Sequence, residues 1–307
     1  MKEETCALCD AVGNHKKIID VPDVYLKETY AIHQCPACGV GKAVGLPKIS
    51  SDIYGDGAYQ LSEKRVLIRY LKRYLHRIEI RRLIKSGVSQ FFLDVGCGSG
   101  DLARYLFESG FSVAAADAAF HRPSDLMDYP EIEYLHFDYE TLIIDKPELI
   151  MGKTVILRHV LEHIRDPKKL IQRFIEWGAS YIYILVPNSS CLLRKIFGKY
   201  ETMWGLPYHI WHFNKKSLKT FCGTRGLNII NDGYETIPAF LYSLNRYLEA
   251  KQASGLLRKL FKPSTYKLIL SLPLDVLSLW NVIYLLCEVR TIDSSPEGNT
   301  LIIPLQK

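Results

Sequence analysis

Phe91-Phe92-Leu93-Asp94-Val95-Gly96-Cys97-Gly98-Ser99-Gly100 is the stretch on which the fold turns. Its apolar run, Phe91 to Val95, carries one acidic residue and leads directly into a glycine cluster. Asp101 to Ser109 then shows a helical pattern. Strand, glycine turn and helix in that order let the backbone come close to a ligand, because glycine has no side chain to block it. A nucleotide-like ligand at the carboxyl edge of an α/β sheet is the expectation.

A pyrophosphate-binding turn spaces its glycines Gly-x-Gly-x-x-Gly and offers helix-terminal amides to the phosphates. Among Gly96, Gly98 and Gly100 the third glycine comes one residue early, which disfavours NAD and an oxidoreductase reading. Asp94 instead places a carboxylate where the ammonium of a methionine moiety can be met. That chemistry suits S-adenosylmethionine. A second apolar strand, Phe111 to Ala116, ends at Asp117, roughly twenty residues past the turn, where a carboxylate accepts both ribose hydroxyls. A third, Ile132 to Phe137, delivers Asp138, a candidate acceptor for the adenine amino group. Ala118 and Tyr139, directly after these aspartates, join the expected cofactor contacts. Each aspartate taken singly also reads as a helix cap or turn residue, but three in register after strands favour a site.

These residues, with His159-Val160-Leu161-Glu162-His163-Ile164-Arg165-Asp166-Pro167, resemble class I S-adenosylmethionine-dependent methyltransferases. More narrowly, the chain resembles the bacterial type with an N-terminal four-cysteine ribbon, from about Cys6 to Ile230, including Val186-Pro187-Asn188 and Pro207 to Phe213. The resemblance implies a Rossmann-like methyltransferase fold: an α/β, doubly wound, seven-stranded, mostly parallel sheet with helices on both faces. It also implies that Tyr54 and Tyr59 form an aromatic lid over the cofactor. The chain departs from the family at Lys153 to Arg158, where an acidic strand is usual; Arg158 stands where a small residue is common and is counted among the cofactor contacts.

The methyl of a sulfonium is already activated, so the protein need only hold a nucleophile in line, exclude water and, for a weakly acidic acceptor, remove a proton. His159, Glu162 and His163 follow the fourth strand and fall at the ligand-binding edge. His159 and His163 are spaced to share one helical face, but a metal pair lacks a third ligand, so substrate contact or packing is preferred. Trp204 to Phe213 resembles the family's substrate-facing loop. Within it His209 is the first choice of general base, because histidine titrates near neutrality. His212 is equally able or caps the helix near Asn214, and packing of both remains the bland alternative. Cys97 only packs.

Cys6-x-x-Cys9 and Cys35-x-x-Cys38 form two thiolate knuckles, the donor set of a closed structural zinc site. Ile18 to Val21 and Tyr30 to Ile32 read as short strands in the intervening segment. His15 and His33 are solvated loop residues on this reading. Between Glu63 and Ser86 apolar residues recur at helical spacing, with Leu75 and Ile78 among them, and arginines share the rest. Its basic face is solvated or attracts a phosphorylated or lipid-linked substrate.

The boundaries expected are a zinc ribbon at 1–45, a linker and basic helix at 46–88, the cofactor-binding domain at 89–235 and a helical C-terminal extension at 236–307. That extension has helices at Phe240 to Leu248 and Leu256 to Cys287 and a last strand at Thr300 to Pro304. Leu268 to Cys287 is strongly apolar, but Pro273, Asp275 and Asn281 interrupt it, which favours a buried or membrane-surface helix over a span. The net charge of +6 and the 48% hydrophobic fraction are ordinary for a globular chain. No apolar leader follows Met1, so a cytoplasmic protein with reduced cysteines is expected, and nothing reads a nucleic-acid base. The reading is methyl transfer to oxygen or carbon of a small molecule or glycan precursor, with a sugar-linked acceptor preferred. A lipid or quinone-type acceptor, with peripheral membrane contact through the C-terminal region, is the second hypothesis, and a non-catalytic cofactor-binding scaffold the third.

Overall fold

The computed structural model describes residues 4–47, 66–264 and 281–290, with the side chains of 66–72 excluded. Tyr54, Tyr59 and the expected strand Thr300 to Pro304 lie outside the described residues. At the N-terminal end, β1 (Glu4–Thr5) and β2 (Val12–Gly13) pair around Cys6 and Cys9. The apolar segments of the spacer become β3 (Lys16–Pro22) and β4 (Thr29–Gln34), and β5 (Gly41–Val44) follows the turn that holds Cys35 and Cys38. All three pair antiparallel.

Helix α1 (Val66–Lys85) leads to β6 (Phe91–Val95), the glycine turn, α2 (Asp101–Glu108) and β7 (Ser112–Asp117). Next come β8 (Glu133–Asp138), the short β9 (Ile143–Ile144), β10 (Thr154–Arg158), α3 (Pro167–Glu176) and β11 (Tyr181–Pro187). The chain continues through α4 (Leu192–Phe197), β12 (Trp211–His212), α5 (Lys215–Gly223) and β13 (Leu227–Glu235). Two helices, α6 (Phe240–Ala250) and α7 (Gly255–Phe261), precede β14 (Val282–Val289).

The central sheet runs β13-β14-β11-β10-β6-β7-β8-β9, with β6, β7, β8, β10 and β11 parallel and β14 antiparallel to both neighbours. This is the doubly wound, mostly parallel sheet expected, with the two-residue β9 added at one edge. From β6 the chain steps outward through β7 and β8, then returns to the other side of β6 as β10. Connections diverging from neighbouring strands leave a crevice above their carboxyl ends, here between β6 and β10.

Val282–Val289 corrects the expectation of one helix from Leu256 to Cys287. It is a strand buried between β11 and β13, with Val282 to Cys287 shielded on both faces. A fully buried strand shows no alternation, so its apolar run mimics a core helix. The helices α6 and α7 are therefore inserted between two sheet strands.

The four-cysteine module does not swing on a linker. Cys6, Leu8, Cys35, Cys38 and Val40 share one apolar cluster with Trp211, Phe213 and Leu218. The β12 strand pairs with β5 and extends the ribbon sheet with residues that follow β11 of the central sheet. The Asn214 amide donates to Gly39 O at 2.9 Å, and Lys216 donates to Ala37 O at 2.9 Å. His212 is not a helix cap: Asn214 itself caps α5, through a reciprocal hydrogen-bonded box with Ser217.

Helix α1 also buries a different face from the one its apolar spacing suggests. His76, Glu79, Ile80 and Leu83 face inward, while Tyr74, Leu75 and Ile78 are exposed. Two charged residues displace three apolar ones because their partners, Arg158 and Asp101, lie beneath the helix. A buried charge must be paired, so the ion pairs set the phase.

Candidate active site

The carboxyl ends of β6 and β10 and the inward face of α1 enclose a cavity of about 310 Å³. Its walls include Asp94, Gly96, Gly98, Tyr139, Arg158 and His159. Gly96 has φ 71°, and a Cβ there would lie 2.5 Å from Val160 Cγ2. Only glycine makes this turn without displacing the chain end of β10. The Gly96 and Cys97 amides bond to Ala116 O, tying the turn to β7. At Gly100, with φ 83°, a Cβ would strike Leu126, so this glycine serves packing behind the turn rather than the cavity wall.

At the cavity floor Asp94 is buried, with Oδ2 unpartnered, and burial pushes its carboxyl up to about 7. Arg158 faces it from β10, and its Nε lies 3.2 Å from Glu79 Oε1. Burial drives the Glu79 carboxyl up, but Arg158 and His76 outweigh it and the net shift is downward. His76 Nε2 lies 3.2 Å from Asp101 Oδ2, so α1 contributes a buried His76 and Glu79 that bridge to α2 and β10. Neither was expected from the sequence. The signal was an acidic residue three positions after a histidine in an otherwise basic helix.

Asp117 is buried behind the turn, where its two carboxylate oxygens accept from Gly98 N and Ala118 N at 2.7 Å each. Burial raises its carboxyl above the usual range and these backbone donors oppose the rise. Asp138 accepts from the Thr141 hydroxyl and the Glu140 amide, each at 2.7 Å. Neither aspartate, nor Ala118, belongs to the cavity wall, whereas Tyr139 does.

The segment after β10 is no α-helix. His159 has φ 55°, a left-handed conformation that costs a non-glycine residue on the order of 1 kcal/mol. It turns the ring into the cavity, and Leu161–His163 forms a single 3-10 turn, so the expected shared helical face of His159 and His163 is absent. His159 Nδ1 lies 3.3 Å from Glu162 Oε1. A carboxylate can only accept, so Nδ1 carries the proton and Nε2 is left as the basic nitrogen. Glu162 is 0% exposed, and its Oε2 has no partner.

His209, the expected general base, stands outside the wall of the first cavity. It is partly buried, its Nδ1 donates to Met203 O at 3.1 Å, and its ring meets His163 edge-on at 4.7 Å. Burial, reinforced by His163, depresses it well below the usual histidine range, and the ring is not in the cofactor cavity wall. His212 is buried against Trp204 and is depressed likewise. The third metal ligand that His159 and His163 lacked does exist in space for His163, since Glu162, His163 and His209 each offer a ligand atom within 4.8 Å of the others. Hydrogen bonds of His163 and His209 to backbone carbonyls account for their orientation without an ion.

A second cleft, of about 710 Å³, separates the cysteine module from the sheet. His33 and Lys42 line one side, and Arg165, Lys169 and Tyr208 the other. Tyr139 and His163 stand in the walls of both cavities. In the module itself, Cys6 and Cys38 sulfurs are 3.9 Å apart and Cys9 and Cys35 sulfurs 3.8 Å. Zinc–sulfur bonds of about 2.3 Å in a tetrahedron set sulfurs about 3.8 Å apart. The four thiols are free and fit such an ion.

The methyltransferase domain family model matches residues 64–231. Ubiquinone biosynthesis O-methyltransferase of Paracidovorax citrulli (strain AAC00-1) is 26% identical over 152 residues, covering 45% of this chain and 63% of that protein. The chain thus spans less than two thirds of that relative. Among solved structures, magnesium protoporphyrin IX methyltransferase from Synechocystis PCC 6803 with bound SAH is similar at 15% identity and TM-score 0.45, covering 77% of this chain and 90% of that one. A SAM-dependent methyltransferase from Archaeoglobus fulgidus is similar at 17% identity and TM-score 0.41, covering 70% and 94%.

Proposed function

Because the chain belongs to the methyltransferase domain family, we propose that it transfers the methyl group of S-adenosylmethionine to oxygen or carbon of a small-molecule or glycan acceptor. The observation that carries this reading is the pair of cavities sharing Tyr139 and His163: one fits the cofactor, the other the acceptor. Fit to the cofactor rests on the orphaned Asp94 Oδ2 and on the turn that a Cβ at Gly96 would fill. When bound, S-adenosylmethionine supplies a methyl already activated on sulfur.

Asp94 receives the ammonium of the methionine moiety and Arg158 faces its carboxylate. Asp117 holds the turn by its backbone bonds to Gly98 and Ala118 and so would support the cofactor through the turn. His159 removes the acceptor's proton at Nε2, while Glu162 orients the ring and stabilises its protonated form. His159 thus replaces His209 as the general base. Lys42, Arg165 and Lys169 line the acceptor cleft together with Glu4, Glu140 and Asp166, so it offers both cations and carboxylates to a polar acceptor. Cys6, Cys9, Cys35 and Cys38 would hold a zinc ion that would fix the wall from which Lys42 and His33 project.

Calorimetric titration with S-adenosylhomocysteine, with NAD as control, tests the cofactor assignment. Micromolar binding that falls at least tenfold in Asp117→Ala is expected. Binding of NAD instead, or no binding of either, would overturn it. A lipid or quinone-type acceptor is the second reading, favoured by the ubiquinone-pathway relative.

A further inference from the structure

We propose that the α6–α7 insertion is a docking surface for an anionic lipid membrane. Helix α7 is anomalous because none of its residues is buried. Leu256 is 80% exposed and Leu260 58% exposed, one helical turn apart, with Leu257 also in solvent. Helix α7 rests against α6, yet its leucines stay in solvent, and a helix of this length is marginal in water without further burial. It belongs against something apolar.

The charge around it specifies the occupant. From Lys251 to Lys262 the chain carries Lys251, Arg258, Lys259 and Lys262 and no acidic residue. Exposed leucines interleaved with cations are the pattern of a helix lying in the plane of a membrane interface, its apolar side chains entering the acyl boundary and its cations meeting lipid phosphates.

The insertion is firmly attached to the catalytic half. Phe197 of α4 packs on Phe240 of α6 at 5.5 Å between ring centroids, and Tyr200 on Tyr247 at 5.8 Å. Arg246 of α6 is buried and donates to Asp23 O at 2.8 Å, so α6 also clasps the β3–β4 turn of the cysteine module. Among the described residues no helix is long and apolar enough to cross a membrane, so the contact is one of lying on the surface.

Co-sedimentation of the full chain with vesicles decides the matter. Vesicles of phosphatidylcholine with phosphatidylglycerol should carry the protein down at low salt, and phosphatidylcholine alone should not. Leu256→Asp/Leu260→Asp should lower the bound fraction about tenfold, and Arg258→Gln/Lys259→Gln should lower it and blunt its salt dependence. Both variants should bind S-adenosylhomocysteine as the wild type does, which separates lost docking from lost folding. Wild-type protein that stays in solution with anionic vesicles overturns the proposal, as does sedimentation that the variants leave unchanged. Sedimentation velocity showing a dimer that the leucine variant dissolves would assign the surface to a second copy instead.

Discussion

Two ends of the candidate site hold strand-end aspartates that look alike in sequence and differ in state. At the methionine end Asp94 is buried with an oxygen unpartnered, beside the Arg158–Glu79 ion pair. At the other end Asp117 and Asp138 lie outside the cavity wall and are saturated by local donors. A buried polar atom without a partner costs roughly 1–3 kcal/mol, and that cost is recovered only when a ligand supplies the missing bond. The floor at Asp94 is therefore poised for a charged ligand, whereas Asp117 mainly maintains the turn.

The glycine turn serves both ends, so breaking it should have the largest effect. Gly96→Ala forces a Cβ against Val160 at a position with φ 71°. Loss of S-adenosylhomocysteine binding by more than about 100-fold is expected in calorimetry, with unfolding eased by roughly 1–3 kcal/mol in denaturant titration. Retained affinity would mean that the turn has slack the geometry does not show.

Exchanging the aspartates one at a time should separate the ends. Asp117→Asn removes charge-assisted bonds to Gly98 and Ala118 and should cost roughly 1.5–3 kcal/mol of stability as well as affinity. Asp94→Asn removes a buried carboxylate that gains little from its neighbours, so it should leave stability unchanged or raised while weakening S-adenosylhomocysteine about tenfold or more. Equal destabilisation by both would dissolve the contrast.

The same contrast has a pH signature. With the Asp94 carboxyl raised to about 7, the folded state holds its proton above the pH at which the unfolded chain releases it. Its contribution to stability is present below about pH 4 and is lost as pH rises toward about 7. Ammonium binding needs the ionised form, so affinity runs the other way and should weaken about tenfold per pH unit below about 7. Calorimetry across pH 5 to 8 should show that slope in the wild type and a flat profile in Asp94→Asn.

The sheet and the glycine turn were legible because strand, turn and helix follow one another within a few residues, and the cysteine pairs because their spacing is short. What was not legible depends on contacts made across the fold. Val282–Val289 looks helical until β11 and β13 cover both its faces. The buried face of α1 is set by Arg158, seventy-nine positions after Glu79, and no periodicity within the helix reports it. His209 reads as a base from its local chemistry, whereas the burial that lowers its basicity comes from contacts distant in sequence. The turn at His159 was hidden for the same reason: its backbone conformation is imposed by its amide bond to Leu185 O and by the cavity it faces.

The smallest effect sharpens the comparison most. Removing Arg158 alone would strand Glu79, and breaking a buried pair costs about 3–5 kcal/mol, so the informative change is Arg158→Met with Glu79→Gln. This variant keeps the shape of the floor and removes both charges. If Arg158 faces the methionine carboxylate, S-adenosylhomocysteine should weaken by about tenfold, the worth of one charge-assisted bond of roughly 1.5 kcal/mol. Methylthioadenosine carries the same nucleoside without the amino-acid moiety, and its affinity should hold within about twofold, since one bond's energy is absent from both variants of that complex. Parallel losses for the two ligands would mean that the floor supports the turn as a whole and that the two ends of the site are not independent.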